Sequence, residues 1–177
     1  MSWIVNLGTG APASILAQNM LYANGVPDIV GPFNPKAGRV EWKSGATDGN
    51  YFGYAYTKVR DPQCASLATN LQTFCTLTAV ANSSGDIVLE NPRPGTQGNL
   101  GRMTTSLPGV WSLDTAVSKA FRFTESKRLQ FRVDALNLFN HPYAAAPDLN
   151  INSAVPFGDI ATKAGNRQFL AQVRLEF

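Results

Sequence analysis

Three stretches towards the end of the chain alternate apolar and polar residues with a period of two. In the segment Phe169–Phe177, Phe169, Ala171, Val173, Leu175 and Phe177 are apolar, while Gln172, Arg174 and Glu176 are polar. Successive side chains of a strand point to opposite faces, so this pattern predicts a β-strand with one apolar and one wet face. Its length is about that of a strand that crosses a bilayer at a tilt, roughly 9–11 residues. From Trp111 to Phe123 the odd positions Trp111, Leu113, Val117, Phe121 and Phe123 face off against Ser112, Asp114, Ser118 and Arg122. From Leu129 to Phe139 the pattern resumes, with Leu129, Phe131, Val133, Ala135 and Phe139 against Gln130, Arg132 and Asp134. Thr124–Lys127 between these runs predicts a tight turn, and the pair predicts a β-hairpin.

Elsewhere the periodicity is weaker. Trp3, Val5 and Leu7 alternate before Gly8, Gly10 and Pro12, which predicts a strand entering a turn. Residues 18–50 are rich in Asn, Gly, Pro and Asp and predict a long loop with one short strand around Val40–Trp42. The aromatic run Tyr51–Tyr56 predicts a strand. Leu67, Leu71, Phe74 and Cys75 fall at helical spacing behind Pro62, which suits a first helical turn, so a short helix is expected within 62–75. Ser83-Ser-Gly85 predicts a turn before a short strand at Ile87–Leu89. Residues 91–109 and 140–166 read as irregular. The fold class expected is all-β: antiparallel amphipathic strands and hairpins with long loops, arranged as a partial barrel or sandwich, in one domain spanning residues 1–177.

Composition supports the strand reading. Charged residues are 15% of the chain, low against about 25% in soluble domains, and 15 Gly with 11 Pro favour turns over helices. The net charge of +3 is scattered apart from Lys127-Arg128, so no nucleic-acid footprint is expected. No apolar run is long enough for a transmembrane helix. The amino-terminus lacks the basic and apolar regions of a signal peptide, so a cytoplasmic, soluble product is expected if the chain is expressed as it stands. Cys64 and Cys75 leave two options open, a local disulfide in an oxidising compartment or two free thiols. His141 is the single histidine, which excludes a multi-histidine zinc site.

Several motifs together resemble a known family. Gly98-Asn-Leu-Gly-Arg102, Trp111–Lys119, Glu125–Pro142, Phe157-Gly158 and the ending Arg174-Leu-Glu-Phe177 resemble the carboxy-terminal end of TonB-dependent outer-membrane receptors. The group most similar is the Oar-like one of acidobacterial type, in which a carboxypeptidase-regulatory-like domain precedes the plug. The resemblance implies an outer-membrane location and an antiparallel barrel of about twenty-two strands, of which these would be the last few. Odd-numbered residues of the final strands would face lipid. The turn at 124–127 would be periplasmic, and the loops at 18–50, 60–94 and 140–166 external. The plug, the TonB-contacting box and the remaining strands are missing from the sequence, and a handful of strands cannot close a pore alone. The chain is therefore expected to be either a fragment of a receptor gene or an open reading frame that begins inside one. Its partners would be a small-molecule ligand, and either the membrane or further copies meeting through the apolar strand faces.

Candidate chemistry is sparse. Asp114, Arg132, Asp134 and Arg174 fall on the polar faces of the late strands, where they would line a lumen and touch cargo, or else form a cross-strand charge ladder. The aromatic set Trp3, Tyr51, Tyr54, Tyr56 and Trp111 would form an interfacial girdle in a barrel, or core in a soluble fold. Asp48-Gly-Asn50 offers two oxygen ligands on a glycine turn, a candidate calcium site, or simply an Asx turn. Asp148, Asn150 and Asn152 form a second oxygen-rich loop. The alternative of another class is a small hydrolase opening an ester or lactone, with His141 as general base, Asp134 or Asp148 as its orienter, and a metal-activated water. The bland reading of His141 is a loop residue beside Pro142. A third reading is a receptor remnant without activity.

Overall fold

The computed structural model describes residues 1–18 and 25–177. The part of the expected early loop at 19–24 lies outside the described residues. Strands of four residues or more are β1 (Ser2–Gly8), β2 (Tyr56–Arg60), β3 (Thr78–Asn82), β4 (Ile87–Glu90), β5 (Val110–Arg122), β6 (Arg128–Leu136) and β7 (Gln168–Glu176). The fold is all-β and antiparallel with one short α-helix, α1 (Thr69–Gln72), and no closed barrel. The chain divides into two compact units. One holds Met1–Thr9, Gly109–Tyr143 and Ala164–Phe177, and the other Gly10–Pro108 and Ala144–Lys163.

The first unit is a four-stranded meander in the order β1-β5-β6-β7. Its three ladders share one parity. Val5 pairs with Leu113, Val117 with Val133, Phe131 with Val173, and Ala135 with Phe169. Every odd residue therefore meets an odd residue, and the alternation seen in each strand adds up to one continuous apolar face. Trp3, Val5, Leu7, Val117, Phe121, Phe169, Val173 and Leu175 are all exposed on it. A contiguous exposed apolar face of this kind marks a membrane or interaction surface rather than an ordinary soluble one. At one end of the sheet β5 turns into β6 through residues 123–127, closed by the Phe123 N–H donating to the Lys127 carbonyl. At the other end Gly8 pairs with Val110, and the long connections 9–109 and 137–167 depart from that same end. The hairpin is as expected, except that β6 stops at Leu136 and does not reach Phe139. Asn137 takes φ +48°, which breaks the ladder.

The second unit has a dry core of its own. Ile15, Val80, Val88, Leu89, Ile151, Phe157 and Ile160 are fully or almost fully buried. Phe52 stacks on Phe157 with centroids 5.2 Å apart, Tyr56 packs edge-on to both, and Phe33 leans against them at a tilt. The sheet here includes β2, β3 and β4, with β3 central between the others. The aromatic run at 51–56 is not a strand. Gly53 and Tyr54 take positive φ, so Tyr51 and Phe52 enter the core from a turn, and the ladder begins only at Tyr56. The expected helix at 62–75 is also broken. Asp61 caps a 3-10 turn at Pro62–Ser66, Leu67 is extended, and α1 follows as a single turn. Cys64 and Cys75 are joined in a disulfide that staples this segment, which settles the open alternative. The expected strand near Val40–Trp42 is present as Glu41–Trp42. No helix among the described residues is long and apolar enough to cross a membrane.

Candidate functional site

The even-numbered face of the first sheet carries its polar chemistry. Asn6 Nδ2 donates to Ser112 Oγ and to Asp114 Oδ2, both at 3.2 Å, and so bridges β1 to β5. Asp114 Oδ1 accepts the Asn137 backbone N–H at 2.8 Å. The Asn137 side chain, 7% exposed, then organises the start of the connection to β7. Its Nδ2 donates to the His141 and Gly165 carbonyls, and its Oδ1 accepts the His141 N–H. One carboxylate and two asparagines thus fasten the loop end of the sheet.

Asp114, Arg132, Asp134 and Arg174 all lie on this even face. The ion pairs run along the strands and not across them, which corrects the expected ladder. Arg132 Nε donates to both oxygens of Asp134, at 2.9 and 3.0 Å. Arg174 Nε sits 3.0 Å from Glu176 Oε1. The spacing i, i+2 puts both members on one face of one strand. A cavity of about 410 Å³ opens at the loop end of the even face, lined in part by Asn6, Asp114, Tyr143, Gly165, Asn166 and Gln168. A second, of about 280 Å³, lies between Ile4, Asp114, Arg132, Asp134 and Leu170.

The hydrolase candidates are engaged elsewhere. The His141 ring packs on Trp111 with centroids 4.3 Å apart, and its buried Nδ1 has no hydrogen-bond partner among the described residues. Asp134 is paired with Arg132, and Asp148 Oδ1 accepts the Asn150 N–H at 2.8 Å. No carboxylate is hydrogen-bonded to the imidazole among the described residues.

The calcium candidates are likewise occupied within the chain. Lys43 Nζ sits 2.7 Å from Asp48 Oδ2 on the surface. That hydrogen bond holds the Asp48 carboxyl below the ordinary carboxylate range and raises Lys43 above its own. Asn50 is buried and its amide builds a turn: Oδ1 accepts the Phe52 and Tyr54 N–H groups, and Nδ2 donates to the Phe157 carbonyl. In the oxygen-rich loop the cation is a lysine. Lys58 Nζ donates to the Asn150 and Ser153 carbonyls and to Ser153 Oγ, at 3.0, 2.9 and 2.6 Å. Burial pushes the Lys58 ammonium below its ordinary value, while Asp148 and Asp159 pull it back up. Among the described residues no group of three or more His, Cys, Asp or Glu is gathered to hold a metal.

The aromatic set divides. Trp3 and Trp111 sit on the apolar sheet face, whereas Tyr51 and Tyr56 belong to the second unit's core, where burial raises both phenols. Tyr54 is exposed. Sequence reasoning missed Asn6, Asn137, Tyr143, Asn166 and Gln168. Only Asn137 carried a signal: it is a polar residue at an odd position, where the alternation calls for an apolar one.

A family model described as outer membrane beta barrel domain matches residues 1–170. No curated protein and no solved structure matches the chain.

Proposed function

The chain belongs to the outer membrane beta barrel domain family, and from that premise we propose that it forms part of the wall of an Oar-like, TonB-dependent receptor barrel that binds and takes up a small-molecule ligand. The observation that carries the reading is the shared parity of the four strands. Their odd residues form one lipid-facing surface, and their even residues, including Asp114, Arg132, Asp134 and Arg174, form the lumen wall.

The dimensions agree with a bilayer. Trp111 and Phe139 rings lie together at the loop end of the odd face, and Phe121 and Phe131 rings at the turn end. Trp111 and Phe121 are about ten residues apart, or roughly 33 Å along the strand. A tilt of about 40° reduces this to about 25 Å, the height of an outer-membrane apolar band between its aromatic girdles. Lys119 is the charged residue of the odd row on β5. It bends towards the turn end, its Nζ 5.1 Å from the centre of the Phe121 ring, as a snorkelling lysine does near an interface. The short 123–127 turn suits the periplasmic side and the long connections the external side. A disulfide in an external unit suits an oxidising surroundings.

Uptake by cells carrying the protein tests the reading. Labelled ferric chelates, corrinoids and oligosaccharides are supplied to isogenic cells with and without TonB. The reading expects at least one to accumulate only with TonB present. Equal accumulation in both strains for every compound contradicts it.

A further inference from the structure

We infer that the loop-end cavity of the even face is a binding site for a neutral, hydroxylated ligand of the saccharide class. The inference rests on the uptake reading above and names its ligand chemistry. At about 410 Å³ the cavity falls within the usual range for small-molecule sites, roughly 300–1,000 Å³.

Its lining selects against charge. Among the described residues lining it Asp114 is the one carboxylate, and both of its oxygens already accept hydrogen bonds, from Asn6 and Asn137. Two neutral donors already share it and no second carboxylate among the described lining residues adds to it, so a cation would exchange its water for one shared carboxylate. No Lys or Arg is among the described residues that line the cavity, so an anion would lose its water with no counter-charge in return. What remains free is amide. The Asn166 and Gln168 side chains have no hydrogen-bond partner among the described residues, and Asn6 uses only its NH₂ group. Each amide offers donors and an acceptor close together. A hydroxyl, which also donates and accepts, uses both at once, whereas a carboxylate uses only the donors.

An aromatic face completes the chemistry. The Tyr143 ring lies directly against Gly165, where an added Cβ would come within 2.5 Å of Cε1 and 2.6 Å of Cδ1. Gly165 also takes φ +85°, which a side chain rarely adopts. Glycine here lets the ring settle on the backbone, and a ring so fixed presents a flat apolar surface to the C–H face of a pyranose. Amides at the rim with an aromatic plane beside them match a sugar's division into a hydroxyl edge and an apolar face.

Calorimetric titration of the detergent-purified protein tests the inference. The probes are maltotriose and cellotriose as neutral ligands, trigalacturonate as an anion and chitosan trimer as a cation. At least one neutral trisaccharide is expected to bind tenfold or more tightly than either charged probe. Tyr143→Ala and Gln168→Ala are each expected to weaken it tenfold or more, and Gly165→Ala to weaken it by displacing the ring. Ser118→Ala, on the same face towards the turn end, should bind as the parent does. Preference for a charged probe, no binding by any probe, or unchanged binding in Tyr143→Ala and Gln168→Ala overturns the inference. The uptake experiment reports separately. Probe binding without TonB dependence removes the receptor reading and keeps the site, whereas TonB-dependent uptake with no probe bound removes only the ligand class.

Discussion

Asp114 accepts the backbone N–H of Asn137 at 2.8 Å, and this bond ties β5 to the point at which β6 leaves the sheet. Its other oxygen holds Asn6 of β1. One carboxylate therefore joins three segments at the loop end. Asp114→Ala leaves the Asn137 N–H without its acceptor and the Asn6 amide with Ser112 alone, and is expected to cost about 1–3 kcal/mol. Asp114→Asn keeps an acceptor oxygen and should cost less. Urea unfolding of both variants in detergent checks the order, and an alanine variant as stable as the parent contradicts it.

Neighbouring residues on β5 should respond unequally to the same charge. Val117 faces Val133 on the odd side, near mid-height of the apolar band, while Ala116 faces Asp134 on the even side. Val117→Lys is expected to destabilise the lipid-inserted protein by about 2–4 kcal/mol. Ala116→Lys places the ammonium opposite a carboxylate and should change stability by less than about 1 kcal/mol. Unfolding from lipid vesicles measures both. Equal effects would mean that the two faces meet the same solvent.

The Cys64–Cys75 bridge closes a loop with a sequence separation of 11. The chain-entropy estimate for a loop of this length is about 3 kcal/mol. Reduction is expected to open the segment 64–75 to protease and to lower the unfolding midpoint of the second unit, with the β-content of the four-stranded sheet retained. Identical digestion patterns with and without reductant would refute this.

Glu90 gives a pH signature. Burial holds its carboxyl above the ordinary carboxylate range, Asp61 and Asp28 add to the rise, and Arg93 opposes it. The folded chain therefore keeps this proton to higher pH than the unfolded chain does. The stability it contributes is complete below the ordinary value near 4.5 and is lost as pH rises through the raised one. Glu90→Gln fixes the neutral form. Its unfolding midpoint should exceed the parent's at pH 7 and match it at pH 3. The reverse order would show that the charged carboxylate is the favoured form.

The strands of the first unit were legible because each has one apolar and one wet face. Trp111–Phe123 and Phe169–Phe177 announce themselves by period two, and their parity even predicts the pairing of faces. β3 escaped notice for the converse reason. Ala79, Val80 and Ala81 are all buried, so β3 shows no alternation. Tyr51–Tyr56 misled because its rings serve a core reached through a turn at Gly53 and Tyr54, and aromatic content alone cannot separate that from a strand. The loop-end cavity was illegible because Tyr143, Gly165 and Asn166 lie outside any periodic segment. Only the register of β6 against β7 brings Leu136 level with Gln168 and so assembles the site. Asp48 and Asn50 matched a ligand spacing, yet one is paired with Lys43 and the other holds a turn.

The central claim is that the odd face of the sheet meets lipid, and the chain's own tryptophans report on it. Trp3 pairs with Thr115, about 10 Å below Trp111 across the apolar band, and both are on the odd face. Trp42 lies in the second unit, beside Lys163. Fluorescence of single-tryptophan variants is measured in vesicles of lipids brominated at shallow or deep positions of the acyl chain. The account predicts that Trp3 is quenched most by deep bromines, Trp111 most by shallow ones, and Trp42 by neither. Trp3 and Trp111 unquenched at every depth, in protein bound to the vesicles, would contradict it.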